Sequence, residues 1–200
     1  MLPPARLVAV SNPETPDETL MMNYRDGDAG AFEHLYSRHR GGVFRFVLRQ
    51  LGQRSVAEEV FQETWMRIIA ARARYRVEAK FTTFLYHVAR NCVIDHVRSR
   101  PALHLVSLDS DEDPPPEPAA PAREQPDQLA TTRQLGRALS QAIALLPAEQ
   151  REAFLLQQEG GLSLVEIAQV TGTGRETVKS RLRYAIARLR ESMDDEANVA

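Results

Sequence analysis

Metal and nucleophile chemistry needs few residue types, so its candidates are quickly gathered. The chain has five histidines, His34, His39, His87, His96 and His104, and one cysteine, Cys92. Only Cys92 and His96 stand four residues apart, where a helix would bring two ligands together, and two ligands do not make a zinc site. They read as core and rim of one helix, with no metal and no cofactor. The sequence contains no Gly-x-x-x-x-Gly-Lys loop, no Gly-x-Ser-x-Gly elbow and no carboxylate pair with a recognisable partner. Catalysis has no support in this pattern, and the chain reads as a non-enzyme.

The spacing that does point to chemistry is basic. Arg175, Lys179 and Arg183 recur at i, i+4 and i+8, and residues 175–190 hold six Lys/Arg against Glu176 alone. Phosphates attract such charges without regard to sequence, whereas side chains in the first turns of a helix can reach base edges in the major groove. Arg175, Glu176, Lys179, Ser180 and Arg183 are therefore the candidate DNA contacts. A second signature lies upstream, where Tyr75, Phe81, Phe84 and Tyr86 interleave with Arg72, Arg74, Arg76, Lys80, Arg90, Arg98 and Arg100. That composition suits stacking on unpaired bases while holding their phosphates, provided the rings are exposed. Tyr86 reads as core, and Phe81 stands evenly between core and surface. Glu58, Glu59, Gln62, Glu63 and Arg67 line the side of a helix opposite Val60, Phe61 and Ile68; alone they would be a solvated face.

Helices must position these groups. Capping boxes of the type Ser/Thr-x-x-Glu/Gln occur at Thr15, Ser55, Thr131, Ser163 and Thr173, and each could begin a helix. After Asp28, Phe32, Leu35, Tyr36, Val43, Phe46 and Val47 recur at helical spacing, although Gly41-Gly42 weakens the middle. Val56, Val60, Phe61, Trp65, Ile68 and Ile69 mark a second face. A further helix runs from Thr82 or Thr83 towards Ser99. Leu135, Leu139, Ile143 and Leu146 form a stripe that ends at Pro147, and a short helix ends at Gly160-Gly161. Ser163 to Val170, the turn Thr171-Gly172-Thr173 and a helix from near Gly174 complete a helix-turn-helix, with Val178, Leu182, Ala185 and Leu189 as its buried seam. No segment alternates as a strand does, so the fold class is all-α.

Length and charge set the organisation. Two hundred residues suffice for one ordinary domain or two small ones. The net charge of −2 conceals two basic parts: 14 Lys/Arg against 10 Asp/Glu in residues 17–100, and 9 against 6 in residues 129–193. Between them, residues 101–128 hold 7 Asp/Glu against Arg123 alone and 7 of the 12 prolines, which reads as a flexible, extended linker. Residues 1–16 are then an N-terminal extension and 194–200 an acidic tail. Apolar runs are far short of the roughly 20 residues that cross a bilayer, and the first ten residues lack a signal peptide's apolar core. The expectation is a cytoplasmic protein without membrane insertion.

Two stretches resemble a known family. Ser55-Val-Ala-Glu-Glu-Val-Phe-Gln-Glu-Thr-Trp-Met-Arg67 and Phe81-Thr-Thr-Phe-Leu-Tyr-His-Val-Ala-Arg-Asn91 are similar to region two of the sigma-70 family, in its extracytoplasmic-function (ECF) group. Leu146 to Leu156, Leu162 to Ala168 and Arg175 to Ala185 are similar to its region four. The resemblance covers about 20–100 and 130–192. It implies a dissociable transcription-initiation subunit of bacterial RNA polymerase, with core polymerase and promoter DNA as partners and an anti-sigma factor as a possible third. Core docking would fall to Glu59, Gln62, Glu63 and Arg67, which face the clamp helices of the largest subunit. The minus-10 element would be melted and read by Arg76, Val77, Glu78, Ala79 and Lys80, by Phe81 and Phe84, and by Asn91 and Arg98. The minus-35 element would be read by Arg175, Glu176, Lys179, Ser180, Arg183 and Tyr184. Phe84 stands where the family commonly has tryptophan, leaving a smaller stacking face, and Tyr184 stands where arginine is frequent, which weakens the case for a phosphate contact. A helix-turn-helix regulator that does not replace sigma would account for the C-terminal half equally well, but not for residues 55–98.

Overall fold

The computed structural model describes residues 14–99 and 126–199, with side chains described for 14–99 and 134–194. The described part is all-helical. α1 (Asp17–Arg25), α2 (Ala29–Leu51), α3 (Arg54–Ala71) and α4 (Phe81–Ser99) form one bundle, with a 3-10 turn at Arg72–Arg74. α5 (Pro126–Ala144), α6 (Ala148–Gln158), α7 (Leu164–Thr171) and α8 (Arg175–Val199) form the other. The expected linker lies outside the described residues, except that 126–128 already belong to α5. The backbone of α8 also runs on through most of the expected acidic tail.

Local chemistry explains the ends. Asp28 caps α2, its Oδ1 accepting from the backbone N–H of Gly30 at 2.9 Å and Ala31 at 3.3 Å, and Gly52 closes it in the left-handed conformation at φ 76°. Ser163 builds the one complete capping box among the five expected: the Glu166 N–H donates to the Ser163 hydroxyl, and the Ser163 N–H donates to the Glu166 carboxylate. The other four expected boxes need correction. α1 begins after Pro16, α3 begins after Gln53, and α5 begins before Thr131. α8 starts at Arg175, leaving Thr173 in the turn, where its hydroxyl lies 2.9 Å from that of Thr171.

The first bundle packs around Trp65. Its indole meets Tyr36 at 5.0 Å and Phe32 at 5.8 Å, both edge-on, and Phe61 at 6.4 Å. Each such pair contributes roughly 0.5–1.5 kcal/mol beyond area burial. In the second bundle, Ala153, Leu155 and Leu156 of α6 and Ile167 and Val170 of α7 are buried in the core that Val178, Leu182, Ala185 and Leu189 of α8 also enter. The expected stripe on α5 is only half right. Ile143 and Leu146 are buried, but Leu135 and Leu139 are exposed, because Ala138 and Ala142 face the core instead.

The two bundles also pack on each other. α2 lies against α6, and α4 lies against α7, so the buried residues of both form a single core.

Candidate nucleic-acid interface

The acidic face of α3 comes first along the chain. Glu59, Gln62 and Glu63 are exposed on it, opposite the buried Val60, Trp65 and Ile68. Arg67 is half-buried. Its Nε donates to Glu63 at 2.8 Å and its Nη1 to Asp95 of α4 at 2.8 Å, so it ties the two helices together. Those two hydrogen bonds, Glu63 foremost, push its guanidinium pKa further up. Met66 is 60% exposed on the same face, and Ile69, expected in the core, is 37% exposed. Met66 follows Gln62 by four residues and Glu63 by three, a spacing that would have revealed it as an apolar side chain within a charged face.

After α3 the chain turns through Arg72–Arg74 into Tyr75, which is buried, and then into Arg76, Val77, Glu78, Ala79 and Lys80, all exposed. Burial, with Glu18 and Asp17 adding to it, pushes the Tyr75 phenol up to about 12. The ring is therefore neutral at physiological pH. The Phe81 N–H opens α4 by donating to the Glu18 carboxylate of α1 at 2.7 Å.

Phe81 does not take the exposed place that stacking on a base would need. It is fully buried, with His39 at 5.6 Å and Tyr75 and Phe84 at 6.4 Å, so it is a core ring. Phe84, one turn on, is half-buried and lies 5.5 Å from Tyr75. Phe84, Arg74, Arg76 and His87 border an open cleft of about 460 Å³. The buried hydroxyls of Tyr75 and Thr83 also line it, neither with a hydrogen-bond partner among the described residues. Further along α4, Asn91 is half-buried and Arg98 exposed. Tyr86 is core, as its place in the sequence suggested.

The helix-turn-helix has the expected shape. Gly172 ends α7 at φ 68°, a conformation that side chains with a Cβ rarely adopt. On α8, Arg175, Glu176, Lys179, Arg183 and Tyr184 are exposed and Ser180 is half-buried, while Val178 and Leu182 point inward. Lys179 pairs loosely with Glu176 at 3.8 Å. The Arg183 guanidinium lies 4.9 Å from the centre of the Tyr184 ring, a cation–π contact that gives the charge a fixed shelf. Arg181 is turned away from this line and donates to Glu149 of α6 at 2.6 Å. The arrangement offers a groove-sized basic helix on one bundle and, where Gln169 and Val170 of α7 meet Arg74, Arg76 and Phe84 of the other, a cleft with a half-exposed ring.

Comparison with known proteins agrees with both halves. Residues 35–101 match the family model "Sigma-70 region 2", and residues 136–189 match "Sigma-70, region 4". The chain is 31% identical over 175 residues to the RNA polymerase sigma factor CarQ of Myxococcus xanthus, covering 88% of this chain and 96% of that protein. It is 32% identical to the ECF RNA polymerase sigma factor SigL of Mycobacterium tuberculosis, covering 84% of this chain and 92% of the relative. Among solved structures, CnrH in complex with the cytosolic domain of CnrY superposes with a TM-score of 0.64 at 22% identity, over 90% of this chain and 97% of that one. The sigma factor RpoE of Bartonella quintana, in complex with the anti-sigma factor NepR, gives 0.62 at 22% identity, over 82% and 96%.

Proposed function

The chain belongs to the ECF group of the sigma-70 family and directs transcription initiation, and on that premise we propose how its surfaces divide the work. Core RNA polymerase and promoter DNA are its partners. The α3 face of Glu59, Gln62 and Glu63 docks on the polymerase clamp, with Arg67 holding α3 to α4 behind it and Met66 adding apolar contact. The loop Arg76 to Lys80, with Phe84, Asn91 and Arg98, takes the unpaired minus-10 strand. Arg175, Glu176, Lys179, Ser180, Arg183 and Tyr184 enter the major groove at the minus-35 element. The bundles act as units that span residues 17–100 and 129–193.

One observation carries this reading: a single chain presents both a recognition helix for duplex DNA and, on the other bundle, the exposed basic loop Arg76 to Lys80 beside the half-buried ring of Phe84, suited to unpaired bases. A regulator of duplex DNA has use for the first only. Sigma factors as a family are not enzymes, and the phosphoryl transfer belongs to the polymerase; this chain supplies positioning and strand separation. It works where the polymerase does, in the cytoplasm. The RpoE structure, solved in complex with the anti-sigma factor NepR, supports an anti-sigma partner here as well.

The test is transcript mapping with purified core polymerase. Adding the protein should produce starts at a defined set of promoters, and the protein alone should leave those promoters unprotected from nuclease. Protection without polymerase, together with no new starts, would establish the regulator instead.

A further inference from the structure

We propose that Glu18 is a positioning residue for strand capture: from α1 it caps the first turn of α4, and so fixes the loop Arg76 to Lys80 in the shape that takes the unpaired minus-10 strand. The role rests on the assignment of that loop made above. The loop is five exposed residues hung between two buried ones, Tyr75 and Phe81. Such a segment has many shapes, and holding it in one costs conformational entropy. Contacts from outside the loop have to fix its ends.

The downstream end is a helix start that the adjoining residue cannot cap. The first N–H groups of a helix have no partner within it, and Lys80, immediately before α4, offers an ammonium group that only donates. The acceptor comes from 63 positions earlier, where the Glu18 carboxylate accepts from the Phe81 N–H at 2.7 Å. A carboxylate suits this place twice. It stands at the positive end of α4 and, in the first turn of α1, at the positive end of its own helix.

α1 is itself held. Asp17, the neighbour of Glu18, accepts from Arg38 and lies 2.7 Å from Nε2 of His39, both on α2. At the upstream end of the loop, the Arg72 guanidinium stands 5.0 Å from the centre of the Tyr24 ring of α1. One helix thus grips the chain on both sides of the loop, at the 3-10 turn through Tyr24 and at α4 through Glu18. Of these two grips, only that of Glu18 bears on the backbone, at the residue where loop becomes helix.

A loop already in its bound shape loses less affinity to ordering. Apparent affinity scales with the fraction of chains whose loop is competent, and loss of a cap lowers that fraction, so strand binding should weaken roughly five- to tenfold without Glu18.

Holoenzyme assembled from core polymerase and the full chain supplies the test, with a single strand carrying the minus-10 region of a mapped promoter as the probe. Glu18→Ala should bind that strand roughly five- to tenfold more weakly, while co-purification with core polymerase and binding of minus-35 duplex stay unchanged. Glu18→Gln keeps a carbonyl acceptor on a side chain of the same length and should recover most of the loss. In the free chain, amide hydrogen exchange at Phe81 should accelerate in Glu18→Ala and not in Glu18→Gln. A general loss of stability would weaken all three binding readouts together; that result, or unchanged strand binding by Glu18→Ala, overturns the proposal. So does a Glu18→Gln variant that protects the Phe81 amide yet binds the strand as weakly as Glu18→Ala, which would assign the effect to charge. The double loop variant Arg76→Ala with Lys80→Ala examines the assignment beneath. If it binds the strand normally, the loop does not take the strand and the proposal falls with that reading. If it binds weakly while Glu18→Ala binds normally, the loop reading stands and the positioning role alone is overturned.

Discussion

Phe81 and Phe84 are the same residue type three positions apart on α4, and the packing gives them different work. Phe81 is wholly enclosed, so Phe81→Ala should destabilise the protein by about 3–5 kcal/mol, visible as a lower midpoint in denaturant unfolding. Phe84 lines the cleft, so Phe84→Ala should cost less stability. It should instead remove a stacking interaction worth about 1–3 kcal/mol per base, read as reduced permanganate reactivity of unpaired promoter thymines. Composition showed an aromatic-basic stretch; which ring is free depends on Glu18, Tyr75 and His39 closing over Phe81 from elsewhere in the chain. The recognition helix was easier to read. Lys179→Ala and Arg183→Ala each remove a charge from an exposed line and leave Val178 and Leu182 in place. Thermal unfolding should be unchanged, while promoter binding by the holoenzyme should fall by roughly tenfold wherever the truncated side chain had been reading a base.

At the level of elements, α3 is a stiff plate with its apolar side pinned by Trp65 and Ile68. Reversing Glu59 and Glu63 to lysine should leave the bundle folded, since an exposed i,i+4 pair such as Glu63 with Arg67 is worth only about 0.3–0.5 kcal/mol. Co-purification with core polymerase should be abolished; a double variant that co-purifies normally takes these residues out of the interface. α1 is tied to α2 by Asp17, which accepts from Arg38 and lies 2.7 Å from Nε2 of His39. Burial works to raise the Asp17 pKa, but His39 and then Arg38 outweigh it and hold the carboxyl below the ordinary aspartate range. A carboxyl depressed on folding adds stability that is fully present above its unfolded pKa, near 3.9, and is lost as the pH falls through the folded value. Asp17→Asn should flatten that part of the acid-unfolding curve. Neither Arg38 nor His39 carries any local mark of this role in the sequence, because 21 and 22 positions separate them from Asp17.

Across the whole molecule, the two DNA surfaces serve successive steps. A promoter already mismatched around minus 10 should restore initiation by Phe84→Ala, whose defect is in opening, and should rescue Lys179→Ala and Arg183→Ala only in part, because their defect is in binding. Equal rescue of all three variants, measured by transcript yield, would show that the surfaces do not divide the work. The ion pairs at Glu159, Glu152 and Glu166 are all made by acidic residues of the second bundle on basic residues of the first. These pairs partly neutralise the basic character that suits the first bundle for phosphates.

Periodicity, capping chemistry and charge by themselves determined that the described residues are all-helical, that a capped short helix precedes a basic recognition helix, and that two basic halves flank an acidic, proline-rich stretch. These properties are local: helical spacing repeats every few residues, and a capping box closes within four. What only the tertiary structure decided is set by residues distant along the chain. Leu135 and Leu139 stay outside because Ala138 and Ala142 let α5 approach the core. Four of the five Ser/Thr-x-x-Glu/Gln matches do not start helices, because the neighbouring turns place the first helical residue elsewhere. Gly42 reads as a helix weakness, and only the Glu159 carbonyl oxygen, 117 residues later and 2.8 Å from where a Cβ at Gly42 would stand, shows what its missing side chain makes room for.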